Sequence, residues 1–251
     1  MHALSEITRY LDDYLRLREI TDYAEAHNGL QLANGGTVRR IGAAVDACGD
    51  TIDAAATRGV DLLLVHHGLF WGGVHPMTGN RYRMWKRAMD AGVAVYSAHL
   101  PLDAHPVVGN NALLCAALDL QEIEPFMPYK GTPVGLRGKM ETSRDALTDQ
   151  LATALGGPVR VCPGGPGQVR AIGVVTGGAG AEVRAAAEAG VDTFITGEGP
   201  HWTYALAEEL GVNLLYGGHY ATETFGVKAL AAHLGERLGI PWEFIDHPTG
   251  L

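Results

Sequence analysis

The chain has 251 residues, 47% of them hydrophobic and 34 of them glycine, and carries a formal net charge of -9. That size suits one large α/β unit or two smaller domains with real cores, and glycine at about twice the usual ~7% predicts many tight junctions between strands and helices. The acidity and the lack of a long lysine/arginine run argue against a nucleic-acid surface, and no apolar run approaches the roughly 20 residues of a membrane span.

Cys48, Cys115 and Cys162 form an odd, widely spaced set without a CxxC pair. Such thiols predict buried, inert side chains in a reducing cytoplasm, and the polar N-terminus, Met1 to Tyr10, does not read as a signal peptide. From Ser5 toward Tyr23, apolar residues recur at helical spacing (Ile7, Tyr10, Leu11, Tyr14, Leu15), which predicts an opening amphipathic helix.

A pattern then occurs twice. Ile41 to Val45 reads as a strand, Ala54 to Arg58 as part of a helix, and Gly59-Val60-Asp61 leads into a strand over Leu62 to Val65. Ile172 to Thr176, Ala185 to Ala189, Gly190-Val191-Asp192 and Thr193 to Thr196 repeat it at a constant offset, with Ile41/Ile172, Gly42/Gly173 and Asp61/Asp192 among the identities. Self-similarity without a gap points to duplication, and strand–helix–strand units favour right-handed parallel pairing. The competing reading is that alanine-rich helices and Gly-Val-Asp junctions are common in α/β proteins.

Each half continues alike. Gly92 to Tyr96 leads to His99 with Asp103 four residues on, and Gly211 to Tyr216 leads to His219 with Glu223 four residues on. Open α/β sheets place ligand sites at such strand ends. Between the halves, Gln121 to Arg170 carries prolines at its edges, a predicted helix from Arg144 to Leu155 and a strand at Val159 to Cys162. The boundary is placed near Pro125 to Gly131, giving a first α/β repeat over 1–125 and a second over 126–251 with the site between them.

His66 and His67 close an apolar strand ahead of Gly68-Leu69-Phe70-Trp71. Neighbours on a strand face opposite ways, so the pair is expected just past it, where the chain turns; stacked or capping histidines are the competing reading. His219 and Glu223 share a helical face if the helix has begun by His219, whereas Pro101 predicts a loop for His99 to Asp103. Jointly, imidazoles and carboxylates without thiolates suit zinc, manganese, iron, cobalt or nickel, and a carboxylate such as Glu223 can bridge two ions typically ~3.5–4 Å apart. Glu198 takes the place of His67 in the second copy and, with His201, is a candidate for acid–base work, with a capping role as the alternative. Thr176 to Gly180 reads mainly as a tight turn, with phosphate contact as the lesser reading, and Phe70, Trp71 and Trp202 read as pocket wall or core.

Five segments together resemble the NIF-three-like family, also called GTP cyclohydrolase type 2 homologues, in its short, insertion-free form. They are Asn28 to Leu32, Val65 to Trp71, His99 to Asp103, Thr196-Gly197-Glu198 with His201, and Gly218-His219-Tyr220 with Glu223. The resemblance implies two intertwined α/β repeats with mixed or parallel sheets and a dinuclear metal centre. It maps the ligands onto His66, His67, Asp103, His219 and Glu223, and implies ring-shaped homo-oligomers, commonly hexamers. The chain departs from the family pattern at His27, where an aspartate is usual, at Gly68, where a proline is usual, and at Leu100-Pro101, where polar residues are usual.

The reading that follows is a cytoplasmic, metal-dependent hydrolase, using water activated by two divalent ions on a small-molecule or nucleotide-like substrate. His99 is expected to orient or shuttle protons, and Glu198 or His201 to protonate a leaving group. The alternative is a non-enzymatic scaffold, metal chaperone or partner-binding ring. Neither nucleic acid nor membrane is expected as a partner.

Overall fold

The computed structural model describes residues 1–251. After a short strand β1 (His2–Ala3), helix α1 (Leu4–Tyr14) buries Leu4, Ile7 and Leu11 along one face. It stops well before Tyr23 because Arg16 takes a φ of 55°, a left-handed conformation that ends helical pairing. Strands β2 (Gly29–Leu32), β3 (Thr37–Val38) and β4 (Ile41–Asp46) follow, then α2 (Gly49–Thr57), β5 (Leu62–His67), α3 (Gly79–Ala91) and β6 (Ala94–Ser97). Leu100–Asp103 forms a short helix, α4, rather than the expected loop. Pro101 is tolerated because the first turn of a helix needs no intrahelical N–H.

The chain continues with α5 (Asn110–Ala117), β7 (Gln121–Tyr129), β8 (Thr132–Ser143), α6 (Arg144–Leu155), β9 (Arg160–Pro163) and β10 (Gln168–Val174). It ends with α7 (Val183–Glu188), β11 (Thr193–Thr196), α8 (Thr203–Leu210), β12 (Asn213–Tyr216), α9 (His219–Leu238) and β13 (Trp242–Phe244). Two compact units result: Met1–Leu102 with Gly226–His247, and Asp103–Phe225 with Pro248–Leu251. The position expected for the boundary, 125/126, falls inside β7, and the prolines and Gly131 that suggested it belong to the β7–β8 hairpin. Lys130 and Gly131 both take positive φ there, 46° and 89°, as a tight two-residue hairpin turn requires.

The first unit holds a five-stranded sheet of order β13-β4-β5-β6-β2, parallel except for β2, beside a two-stranded β1–β3 ribbon. The second holds a six-stranded sheet of order β7-β8-β10-β11-β12-β9, in which β10, β11 and β12 are parallel and the flanking strands antiparallel. All residues of β5 and β11 are buried, as strands covered on both faces must be. Their cores gather Ile52, Leu63, Val65 and Trp85 in the first unit, and Leu151, Ile172, Val174 and Leu215 in the second. No helix is long and apolar enough to cross a membrane, and the three cysteines are unbridged.

The duplication persists in the hydrogen bonds. Ile41 is registered on Leu62, and Ile172, at the same offset, on Thr193. The Asp61 carboxylate accepts the backbone N–H of Arg39 and Arg40 at 2.8 and 3.2 Å, while Asp192 accepts those of Arg170 and Ala171 at 2.9 and 3.0 Å. The Gly-Val-Asp junction is therefore a device that ties the start of one strand to the start of the next. Gly42 and Gly173 are equivalent too, since a Cβ at either would press on Val60 or Val191, at 3.0 and 3.3 Å.

Candidate metal centre

In the first unit, β5 and β6 end side by side, and His66, His67 and His99 stand at those ends. His66 and His67 are the last two residues of β5, not residues past it. Their rings nonetheless converge, with centroids 4.9 Å apart at 52°, and the ligand atoms of His66, His67 and His99 lie within 4.8 Å of one another. All three imidazoles are buried.

Each is held through Nδ1. His66 donates to the Ala98 carbonyl, His67 to Asp46 and His99 to Asp22, every distance being 2.9 Å. A carbonyl or an ionised carboxylate can only accept, so Nδ1 carries the ring proton and Nε2 keeps the lone pair that a metal takes. Asp22 is fixed in turn by Asn28 Nδ2 at 2.8 Å and the Leu100 N–H at 2.9 Å, and Asn28 Oδ1 accepts the His99 N–H at 2.7 Å. Burial pushes the Asp22 carboxyl up, but the bonds and charge of His99, with Asn28 and the Tyr23 N–H, outweigh it and leave Asp22 below its ordinary value. His99 thus sits within the imidazole cluster, with a carboxylate behind it, where a role as orienter or proton shuttle was expected.

Gly68 follows His67 where the family pattern has proline. A Cβ there would fall 2.3 Å from the amide of Gln31, which accepts the Leu69 N–H at 2.6 Å. A proline ring would need that space, so glycine is matched to Gln31.

In the second unit, His219 opens α9 and Glu223 lies one turn along it, the shared helical face the sequence predicts. His219 Nδ1 bonds Glu198 at 2.8 Å, and Nε2 faces Glu223 at 3.2 Å. Burial alone would lower the His219 pKa, but Glu223 and then Glu198 raise it to about 9. The imidazolium so favoured sets a positive charge against Glu223, the sign a divalent cation brings. Glu223 is 2% exposed. Gly177, in the turn after β10, makes room for it: a Cβ there would lie 2.3 Å from Glu223 Oε1 and 3.3 Å from His219 Nε2. The Thr176–Gly180 segment is therefore a wall of the site, and its φ of 72° at Gly177 suits glycine.

Asp103 is buried, accepts from Asn110 Nδ2 at 2.8 Å and Thr176 Oγ1 at 3.4 Å, and its backbone carbonyl accepts from Asn111. The two His-x-x-x-carboxylate devices are therefore unlike: His219 meets Glu223, while His99 turns to Asp22 and Asp103 to Asn110. Glu198 and His201 line an open groove of about 820 Å³ together with Arg160 and Tyr204. Of the aromatics, Trp71 borders the imidazoles, Phe70 packs on Trp85, and Trp202 is 52% exposed. His105 serves structure, its Nδ1 accepting the N–H groups of Val107 and Val108.

The sequence reading missed Asp22 and Asp46. Asp46 carried a usable signal, an acidic residue ending an apolar strand, and it is registered on His67. Asp22 carried none, since it lies in irregular chain between α1 and β2. The donors in each unit suit divalent metal ions: three imidazoles with Nδ1 committed to oxygen in the first, His219 with the buried Glu223 in the second, and no thiolate in either.

The chain matches the profile of the Duf34/NIF3 (NGG1p interacting factor 3) family over residues 2–249. It is 42% identical to a Deinococcus radiodurans protein named GTP cyclohydrolase 1 type 2 homolog, over 98% of this chain and 94% of the relative. A Halobacterium salinarum protein of the same name is 44% identical over 99% of each. The crystal structure of TTHA1606 from Thermus thermophilus superposes over 100% of both chains with a TM-score of 0.91 and 41% identity. With the fold, the register and these likenesses in agreement, the chain belongs to the Duf34/NIF3 family.

Proposed function

We propose that this protein is a metal-dependent hydrolase whose centre takes two divalent ions, drawn from zinc, manganese, iron, cobalt and nickel. The observation that carries the reading is that four imidazoles, His66, His67, His99 and His219, each commit Nδ1 to an oxygen acceptor. A carboxylate or carbonyl behind each ring is how proteins orient histidine for a metal, and isolated core histidines have no need of four. His66, His67 and His219 would bind through Nε2, and Asp103 and Glu223 through carboxylate oxygens. His99 joins as a further ligand candidate because it shares the cluster of His66 and His67.

Divalent ions so held supply Lewis acidity and bring the pKa of water toward neutrality. The protein's own contribution is orientation. Asp22, Asp46 and Glu198 fix the tautomer and rotation of three rings, and Asn110 and Thr176 fix Asp103. His201 lines the groove and would give a proton to a leaving group, or Glu198 would, in a state in which it no longer accepts from His219. The relatives' name, GTP cyclohydrolase 1 type 2 homolog, supports a small-molecule or nucleotide-like substrate for this chain. We extend the proposal to a ring-shaped homohexamer in the cytoplasm, which sedimentation and fractionation test.

The deciding experiment is metal analysis of the purified protein, followed by a broad hydrolase screen of the manganese, zinc and iron forms beside Glu223→Ala. Two ions per chain, and activity lost in the variant while the oligomer persists, are expected. Activity that survives complete metal removal overturns the reading, and inactivity on every substrate class turns it toward a scaffold or metal chaperone.

A further inference from the structure

We propose that Trp71, with Tyr23 at its edge, is a stacking platform for a flat heteroaromatic ring of the ligand, beside the imidazole cluster. The inference rests on the reading of His66, His67 and His99 as a metal-binding cluster, and it names the substrate class for that site.

Trp71 lies four residues beyond His67, in the turn closed by its N–H on the Gly68 carbonyl. Its ring centroid is 4.4 Å from that of His99 and 4.8 Å from that of His67, tilted 54° and 33° to them. Tyr23 meets it edge-to-face, with centroids 6.3 Å apart at 85°. Tyr23 also lies 5.8 Å from His99, so two aromatic rings border that imidazole at about right angles to each other, a corner rather than a layer.

The corner is wet. Trp71 is 39% exposed and Tyr23 47%, whereas Trp85, which serves packing, is 5% exposed. Leaving so much indole in water forgoes burial free energy that a core position would gain. Gly72 and Gly73 take φ values of 85° and 98° and carry no side chain, and a Cβ on Gly72 would meet nothing within 4 Å.

An indole face attracts another π face in offset stacking, and the Tyr23 ring, perpendicular to the indole, offers a second contact. A flat fused ring such as a purine satisfies both and can turn polar edge atoms toward the imidazoles. A flexible aliphatic chain satisfies neither, and a free ribose has no π face to offer.

The test uses the full chain, metal-loaded and chelator-treated, with adenosine and quinoline as flat probes and ribose as the non-aromatic control. Binding is read by calorimetry and by quenching of the part of the indole emission that Trp71→Leu removes, since Trp202 and Trp242 are exposed too. At least one flat probe should bind with quenching while ribose does not bind. Trp71→Leu should weaken that binding on the order of tenfold, Tyr23→Leu less, and Trp71→Phe within about threefold. Far-ultraviolet circular dichroism and the melting temperature verify that each variant is folded. Failure of both flat probes to bind, equal binding of ribose, binding without quenching, or affinity unchanged in Trp71→Leu overturns the inference. So does a Trp71→Leu protein whose only change is its sedimentation, which would make the corner a contact between copies. The two proposals fail separately: Trp71-dependent probe binding without any hydrolysis leaves this inference standing, and metal-dependent hydrolysis indifferent to Trp71 leaves the other.

Discussion

The ends of β5 and β11 occupy the same place in the two repeats and carry opposite chemistry. At the offset that registers Ile41 with Ile172, His66 corresponds to Gly197, His67 to Glu198, and Asp46 to Gly177. In the first repeat the strand supplies the imidazole and the neighbouring strand the carboxylate that orients it. In the second the segment just past the strand supplies the orienting carboxylate, Glu198, while the imidazole and a second carboxylate come from α9. Glycine stands where side chains would obstruct that arrangement: at 197 a Cβ would lie 2.6 Å from the His219 Cα, and at 177 it would reach Glu223. The two repeats share the backbone scaffold and differ in which element bears the imidazole and which the carboxylate that orients it.

The strongest way to break the comparison is to give the second repeat a side chain where the first has one. Gly197→Ala sets a methyl against the backbone of His219 and Gly177, and backbone cannot rotate aside as a side-chain tip can. It should destabilise the protein by about 3 kcal/mol, measured by urea unfolding. His66→Ala, at the corresponding position, creates no such clash. If both variants lose the same stability, the space argument at Gly197 is wrong.

Exchanging roles predicts unequal metal affinities. His67→Ala removes a donor, whereas Glu198→Gln keeps His219 and weakens only what orients it. Loss of an orienting partner lowers affinity roughly 10–100-fold. His67→Ala should exceed that range and Glu198→Gln should fall within it, by competition with a chromophoric chelator. If the order is reversed, Glu198 is itself a ligand and the repeats are more alike than their hydrogen bonds indicate.

Much of this was legible because it is periodic or local. The offset between copies, the apolar strands and the Arg144–Leu155 helix are patterns of neighbouring residues, and the structure reproduces them. His219 and Glu223 were legible as a pair because helical spacing alone brings them together. His99 and Asp103 have the same spacing but, with α4 starting only at Leu100, each has its own partner, Asp22 for the one and Asn110 for the other. Asp22 is distant from His99 in sequence, and nothing in the chain around it announces the contact. Arg16 likewise ends α1 through a backbone conformation that its side chain does not advertise.

The smallest effect expected sharpens the comparison at the opposite strand ends, where the repeats have not diverged. Asp61→Ala and Asp192→Ala each strip the acceptor from two backbone N–H groups, which should cost about 1–3 kcal/mol apiece and agree within about 0.5 kcal/mol. Asp61 also pairs with Arg39 at 3.0 Å, but that guanidinium is 66% exposed, so the pair adds little. Acid separates the contributions. Burial raises the Asp61 pKa, yet Arg39 and the two N–H groups outweigh it and hold the carboxyl below its ordinary 3.8. A depressed folded-state value stabilises above the unfolded value and is lost as pH falls through the folded one. The gap between wild type and Asp61→Ala should therefore be full near neutrality and close below about pH 3.8, followed by urea midpoints across that range. A gap that persists undiminished in acid would mean that Asp61 acts through packing. The shared Asp would then be a relic of the duplication rather than the working joint of both repeats.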